Sequence, residues 1–184
     1  VVVGLGPAGL FAALLLARSG FRPLVLERGP ELDERVKAVE HFEKTGELNL
    51  NANIQFGEGG AGTFSDGKLT TRVGDPLCAF VTDAFLQHGA PADIAWRQKP
   101  HVGTDLLRGI IRSIRQEIIA LGGEVRFNTA LTGLKIENGA LAGVETTAGD
   151  FACEQLILAV GHSARDTFAM LHGSGLPLEC KPFS

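Results

Sequence analysis

Three glycines spaced as Gly4-x-Gly6-x-x-Gly9, followed by a carboxylate at Glu27, are the residues of this chain best suited to chemistry. The first glycine permits a tight turn, the second lets backbone come close to a diphosphate, and the third lets a helix pack against a strand. Amides that open such a helix have no intrahelical acceptor, and the helix dipole favours negative charge there. Pro7 and Ala8 lie inside the same turn. Glu27 stands eighteen residues beyond Gly9, where its oxygens can accept from a ribose diol and repel a 2′-phosphate. A lone glycine motif is weak evidence, so its context decides. Val1-Val2-Val3 precedes it as a β-branched run, Ala8 to Ser19 follows as a helix stopped by Gly20, and Leu24-Val25-Leu26 forms a second buried run. Residues 1–28 therefore read as a βαβ unit built to hold a dinucleotide.

A second glycine-rich stretch, Gly57-Glu58-Gly59-Gly60-Ala61-Gly62, is followed by Thr63, Ser65, Asp66 and Lys68. Backbone with so few side chains can lie against a planar ring. Its N–H groups and the hydroxyls can bond that ring or a substrate, and Lys68 can supply positive charge where a reduced ring gathers negative charge. The stretch belongs to an excursion over 45–73, far longer than the usual connection of about 4–6 residues, and long ordered loops of this kind tend to carry function. His162 follows the last strand, where it can act as acid or base or touch a cofactor. His101 is a second candidate, whereas His41, His88 and His172 read as helix-face or turn residues. No Ser-His-Asp order and no metal-ligand pattern occurs, and no side chain stands out as catalytic. Cys78, Cys153 and Cys180 match neither a metal site nor a C-x-x-C pair, and read as thiols of a reducing compartment.

These groups need a scaffold, and the apolar periodicity supplies one. Glu31 to Lys44 is predicted helical, with Leu32, Val36, Val39 and Phe42 on one face. Asp75-Pro76 opens a helix with Asp75 as its cap, with Leu77, Phe80, Val81, Ala84 and Phe85 facing inward and Gly89 ending it. Ile94 to Arg97 reads as a strand. Thr104 caps a long helix to Leu121, with the stripe Leu107, Ile110, Ile111, Ile114 and Ile118, and Gly122-Gly123 terminates it. Glu124 to Phe127 is a strand. Leu131 to Glu137 and Leu141 to Thr147 form a hairpin through Asn138-Gly139, a type I′ pair, and Phe151 to Cys153 adds a third short strand. Gln155 to Val160 reads as a buried parallel strand ending at Gly161. The fold class is α/β: a Rossmann-like parallel sheet with helices and a three-stranded antiparallel meander. Residues 74–103 form a helical insert, and 124–161 hold the meander and the last parallel strand.

That order resembles the glutathione-reductase-like FAD-binding fold, in which a meander covers the parallel sheet. The resemblance extends to motifs: Gly4 to Ala13, Val25-Leu26-Glu27-Arg28-Gly29, Gly59 to Leu69 and Gly161-His162-Ser163-Ala164-Arg165-Asp166 are similar to those of a largely uncharacterised bacterial family of FAD-dependent dehydrogenases. The resemblance implies that Gly4, Gly6 and Gly9 hold the pyrophosphate and Glu27 the adenosine ribose, with Arg28 beside it. It implies that Leu131 offers backbone groups to adenine and that Gly161, followed by His162, passes close to the adenosine end. Gly60, Ala61, Gly62, Ser65 and Lys68 fall on the flavin side. Residues 1–184 would then be an FAD-binding domain, with the later Gly-Asp motif of related flavoproteins expected beyond Ser184.

Composition narrows the classes. With 45% apolar and 21% charged residues the chain is an ordinary folded protein, and 24 glycines point to many tight turns. A net charge of −4 with no Lys/Arg block argues against a nucleic-acid surface, and no run of 18 apolar residues suggests a membrane span. Val1 opens without Met or a charged leader, and Lys181 to Ser184 carries no closing pattern, so both ends are expected to be cut. The expectation is a cytoplasmic FAD-dependent oxidoreductase acting on a small molecule, with NAD(P)H as electron donor or acceptor. Two other readings stay open: an NAD-dependent dehydrogenase without flavin, and a non-catalytic nucleotide-binding module. The polar loop 63–68 speaks against the latter.

Overall fold

Short β-branched and leucine-rich runs build the central sheet. In the computed structural model, which describes residues 1–180 apart from 66, 70, 72 and 97–101, β1 (Val2–Val3) pairs in parallel with β2 (Leu24–Leu26). The crossover is α1 (Pro7–Arg18). Strand β3 (Glu124–Arg126) adds to β2 and β7 (Ile157–Leu158) adds to β1, giving the all-parallel order β3-β2-β1-β7. A separate antiparallel sheet holds β4 (Leu131–Glu137), β5 (Ala140–Thr146) and β6 (Gly149–Ala152). Its hairpin closes through Asn138 and Gly139, both left-handed as the type I′ reading requires.

Because side chains alternate along a strand, the parallel sheet feeds two cores. Val2 and Val25 pack with Leu10, Leu14, Ile114 and Ile118, from α1 and α4 (Thr104–Ala120). Val3 and Leu26 pack on the other side with Leu131 and Val144 of the meander. The five stripe residues predicted for α4 are all buried. Gly9 sets how closely α1 approaches the sheet: a Cβ there would stand 1.8 Å from the Gly4 carbonyl oxygen. A bidentate bond joins the two helices, with Arg18 Nε and Nη2 donating to Glu117 at 2.7 and 2.8 Å. His88 sits against the same carboxylate and Ser113. The remaining helices are α2 (Leu32–Thr45), α3 (Cys78–Gln87) and α5 (Arg165–Gly173).

Five local expectations differ from the structure. Leu77, expected to face inward, stands at the cap position of α3 and is 75% exposed, because the helix starts only after it. Residues 92–95 form a 3-10 turn rather than a strand: Pro91 sets the entry, Ile94 alone drops into the core, and the chain finds no partner strand among the described residues. Helix α3 begins at Cys78, two residues later than the capping pattern suggests, because the Asp75 carboxylate accepts from Leu77 N at 2.7 Å and spends its bond on the preceding turn. Gly103 occupies the cap position of α4, and the Thr104 hydroxyl instead donates to the Ser65 carbonyl at 2.6 Å. Finally, β7 is two residues long and an edge strand, so Ile157 and Leu158 are 41% and 38% exposed rather than buried. No helix among the described residues is long and apolar enough to cross a membrane.

Two outcomes follow from this packing. Gly9→Ala forces backbone apart and should cost about 1–3 kcal/mol of stability in urea unfolding. The Arg18 bonds hold the Glu117 carboxyl below its ordinary range, so its stabilisation is present at neutral pH and is lost as pH falls through that lowered value. Glu117→Gln should therefore be less stable than wild type by about 1–2 kcal/mol at pH 7, and the gap should close below about pH 4.

Candidate active site

The carboxyl ends of β1, β2 and β7 open into a cleft of about 430 Å³. This is the edge at which open α/β sheets take ligands. Gly4, Gly6, Pro7 and Ala8 form its floor. Helix α1 starts there with Pro at its first position and no side-chain cap, so its first-turn amides have neither an intrahelical nor a side-chain acceptor. Beyond its chain neighbours, no heavy atom lies within 4 Å of where a Gly6 Cβ would stand, which leaves open space at the floor. Gly9 is buried behind this surface, where it serves helix–strand packing.

Glu27 lines the cleft and is buried. Its Oε2 accepts from Leu5 N at 2.7 Å and its Oε1 from Gly29 N at 2.8 Å. Each oxygen keeps a second lone pair. The carboxylate thus locks the glycine turn to the end of β2 while still facing the cleft. Leu5 is tied on its other side as well, its carbonyl accepting from Gly59 N at 2.9 Å. That single bond joins the glycine fingerprint to the second glycine-rich loop.

The loop supplies the opposite wall through Gln55, Phe56, Gly57, Gly60 and Ala61. Gly60 has φ +71°, and a Cβ there would come within 2.6 Å of the Pro7 ring, so only glycine lets the loop rest on the start of α1. The loop's position is set by Arg35, a side chain with no solvent exposure. Arg35 Nη1 donates to the Glu58 and Gly60 carbonyls at 2.7 and 3.0 Å and to Thr63 Oγ1 at 3.0 Å. Its Nε reaches the Asn53 carbonyl at 2.9 Å and its Nη2 the Ile54 carbonyl at 3.1 Å. Phe64 stacks beneath the guanidinium at 4.7 Å. Burial pushes Arg35 down to about 10, with the Glu27 and Glu58 carboxylates opposing the shift, and it remains cationic at neutral pH. Glu58 is also fully buried. It accepts from Leu32 N at 2.7 Å, capping α2 from across the loop, and from Arg115 Nε at 2.7 Å. Burial pushes its carboxyl up, against the pull of Arg115.

The third side comes from Leu131 and Thr129 at the start of the meander and from Ala159, Gly161, Ser163 and Thr167 after β7. Arg28 lines the cleft mouth and pairs with Asp166 of α5 at 2.5 Å, which holds the Asp166 carboxyl below the usual carboxylate range. Of the residues singled out from sequence, Gly4, Gly6, Pro7, Ala8, Glu27, Arg28, Gly60, Ala61, Leu131 and Gly161 meet around this one cleft. Gly62 lies near Leu107, which a Cβ there would meet at 3.5 Å, the Ser65 carbonyl accepts from the Thr104 hydroxyl, and exposed Lys68 lies outside the lining. His162 is exposed beside Ser163 Oγ at 3.2 Å. Asp66 and His101 fall outside the described residues.

Sequence reading missed Arg35 and Glu58. A trace of Arg35 existed: it shares the face of Leu32, Val36 and Val39, so a charge stood on an apolar stripe. Glu58 was one acid within a run of glycines.

Comparison with known proteins places these features. Residues 2–54 match the family described as an NAD(P)-binding Rossmann-like domain, and in that part of the chain β1, α1 and β2 form a Rossmann-like βαβ unit. An uncharacterized protein of Clostridium beijerinckii is 53% identical over 184 residues, all of this chain and 34% of that protein. Digeranylgeranylglycerophospholipid reductase 1 of Methanococcoides burtonii is 31% identical over 147 residues, 79% of this chain and 32% of that protein. The chain spans about a third of the length of these relatives. The structure of THI4 from Thermovibrio ammonificans aligns with TM-score 0.58 at 16% identity, over 96% of this chain and 62% of that one, a likeness of fold.

Removing the Arg35 guanidinium strands its buried partners, the carbonyls of Asn53, Ile54, Glu58 and Gly60. Arg35→Met should lower stability by about 3–5 kcal/mol and speed hydrogen exchange selectively across residues 53–63.

Proposed function

We propose that this chain is the FAD-binding part of a flavin-dependent oxidoreductase acting on a small molecule. The observation that carries the reading is the continuity of the cleft. It runs from Glu27 and Leu131, past the uncapped start of α1, to the glycine wall at 57–61. A cleft serving only a mononucleotide needs the first two features and not the third. The relative named as a reductase supports a redox role.

The residues present fit such a cofactor. Open space at Gly6 leaves room for phosphate oxygens against the α1 amides. Glu27, already held by two backbone amides, is oriented to accept from ribose hydroxyls. Leu131, Arg28 and Gly161 line the cleft and would hold the adenosine end. Gly57, Gly60 and Ala61 keep side chains out of the path toward the ring. When bound, FAD supplies hydride or electron transfer, exchanging with a substrate directly or with NAD(P)H. The protein's part is binding, orientation and exclusion of water from the reacting face.

The protein expressed in full should show flavin absorbance near about 370 and 450 nm, before or after FAD is added. Absence in both cases, with NADH binding instead, would favour a flavin-free dehydrogenase and overturn this reading. Flavin binding without turnover by any donor or acceptor would point to a non-catalytic module. Gly6→Ala offers a cleaner probe of the floor. The added methyl meets no atom beyond its chain neighbours, so thermal stability of the apoprotein should hold. FAD affinity should fall at least about tenfold, because the methyl occupies the phosphate's space.

A further inference from the structure

Arg28 and Asp166 come from opposite sides of the cleft. Arg28 follows β2, whereas Asp166 sits in the first turn of α5, after β7. In the sheet order, β2 and β7 flank β1. The interval they bracket is about 10 Å, and below it lies the glycine turn that follows β1. The Arg28 guanidinium and the Asp166 carboxylate close that interval with one ion pair at 2.5 Å. Both flanks line the same cleft, Glu27 and Arg28 on one side and Gly161, Ser163 and Thr167 on the other. The Asp166 side chain is 62% exposed and the Arg28 side chain 27%, so the pair lies at the mouth rather than inside.

We propose that Asp166 is a cofactor-positioning residue that acts through Arg28, drawing it across the mouth so that the pair parts when a dinucleotide enters or leaves and re-forms over its adenosine half. The inference rests on the flavin-binding reading above. It assigns the pair to exchange kinetics rather than to the fold, since an exposed ion pair adds little stability. An exposed pair is also screened by salt, so release should depend on ionic strength through this contact.

The test is flavin release from the protein expressed in full, followed by the rise in flavin fluorescence after dilution. Asp166→Asn should release flavin about two- to fivefold faster than wild type, with the melting temperature of the apoprotein unchanged. Asp166→Glu keeps the charge and should release close to the wild-type rate. Added salt should speed wild-type release toward the Asp166→Asn rate and leave Asp166→Asn unaffected. Equal release by all three proteins, or a salt response that survives in Asp166→Asn, would overturn the proposal. Wild-type protein that binds no flavin would overturn the cofactor reading instead, and the two failures are distinct.

Discussion

A guanidinium without solvent contact holds this architecture at its functional edge. Arg35 donates five hydrogen bonds into residues 53–63, four of them to backbone carbonyls. A glycine-rich loop has the largest conformational entropy to lose on ordering, and its own side chains offer almost no packing in return. One charged fork that satisfies several buried carbonyls at once supplies the missing order, because each bond to a charged donor is stronger than a neutral one. The desolvation of the charge is offset by nearby carboxylates, Glu27 and Glu58. The glycine wall of the cleft is therefore held by side-chain bonds, although it has no regular secondary structure beyond a short 3-10 turn.

Around that clamp the cleft is assembled by backbone more than by side chains. The Leu5 amide is held by Glu27 and the Leu5 carbonyl by Gly59, so one residue of the first turn registers both β2 and the loop. Glu58 then couples the loop to the start of α2 and to α4. A perturbation at any of these points moves the others, since they share a contiguous network of buried bonds. Such rigidity suits a site whose ligand is recognised through its phosphates and sugar, where a displacement of one wall opens the gap to water.

The sheet's two cores explain how a small parallel sheet can position this edge. Helices α1 and α4 cover one face and the meander covers the other. The strands are only two or three residues long, so their register is fixed by the layers pressing on them. The exposed side chains of β7 mark where that coverage ends within this chain.

Much of this was legible in the sequence because it rests on local chemistry. The glycine spacing and the β-branched runs on either side determine the first βαβ unit. The five-residue apolar stripe determines α4, and Asn138-Gly139 determines the hairpin. Each follows from backbone preferences and periodicities that act over a few residues. What only tertiary structure decided are the partners of charges. That Arg35 would leave water to hold a loop eighteen or more residues away, that Glu58 would cap a helix it does not belong to, and that Arg28 would meet Asp166 across 138 positions are facts of chain crossing. A charged side chain carries no local mark of its partner, because Coulomb attraction depends on distance in space and burial, and both come into being only when the elements pack.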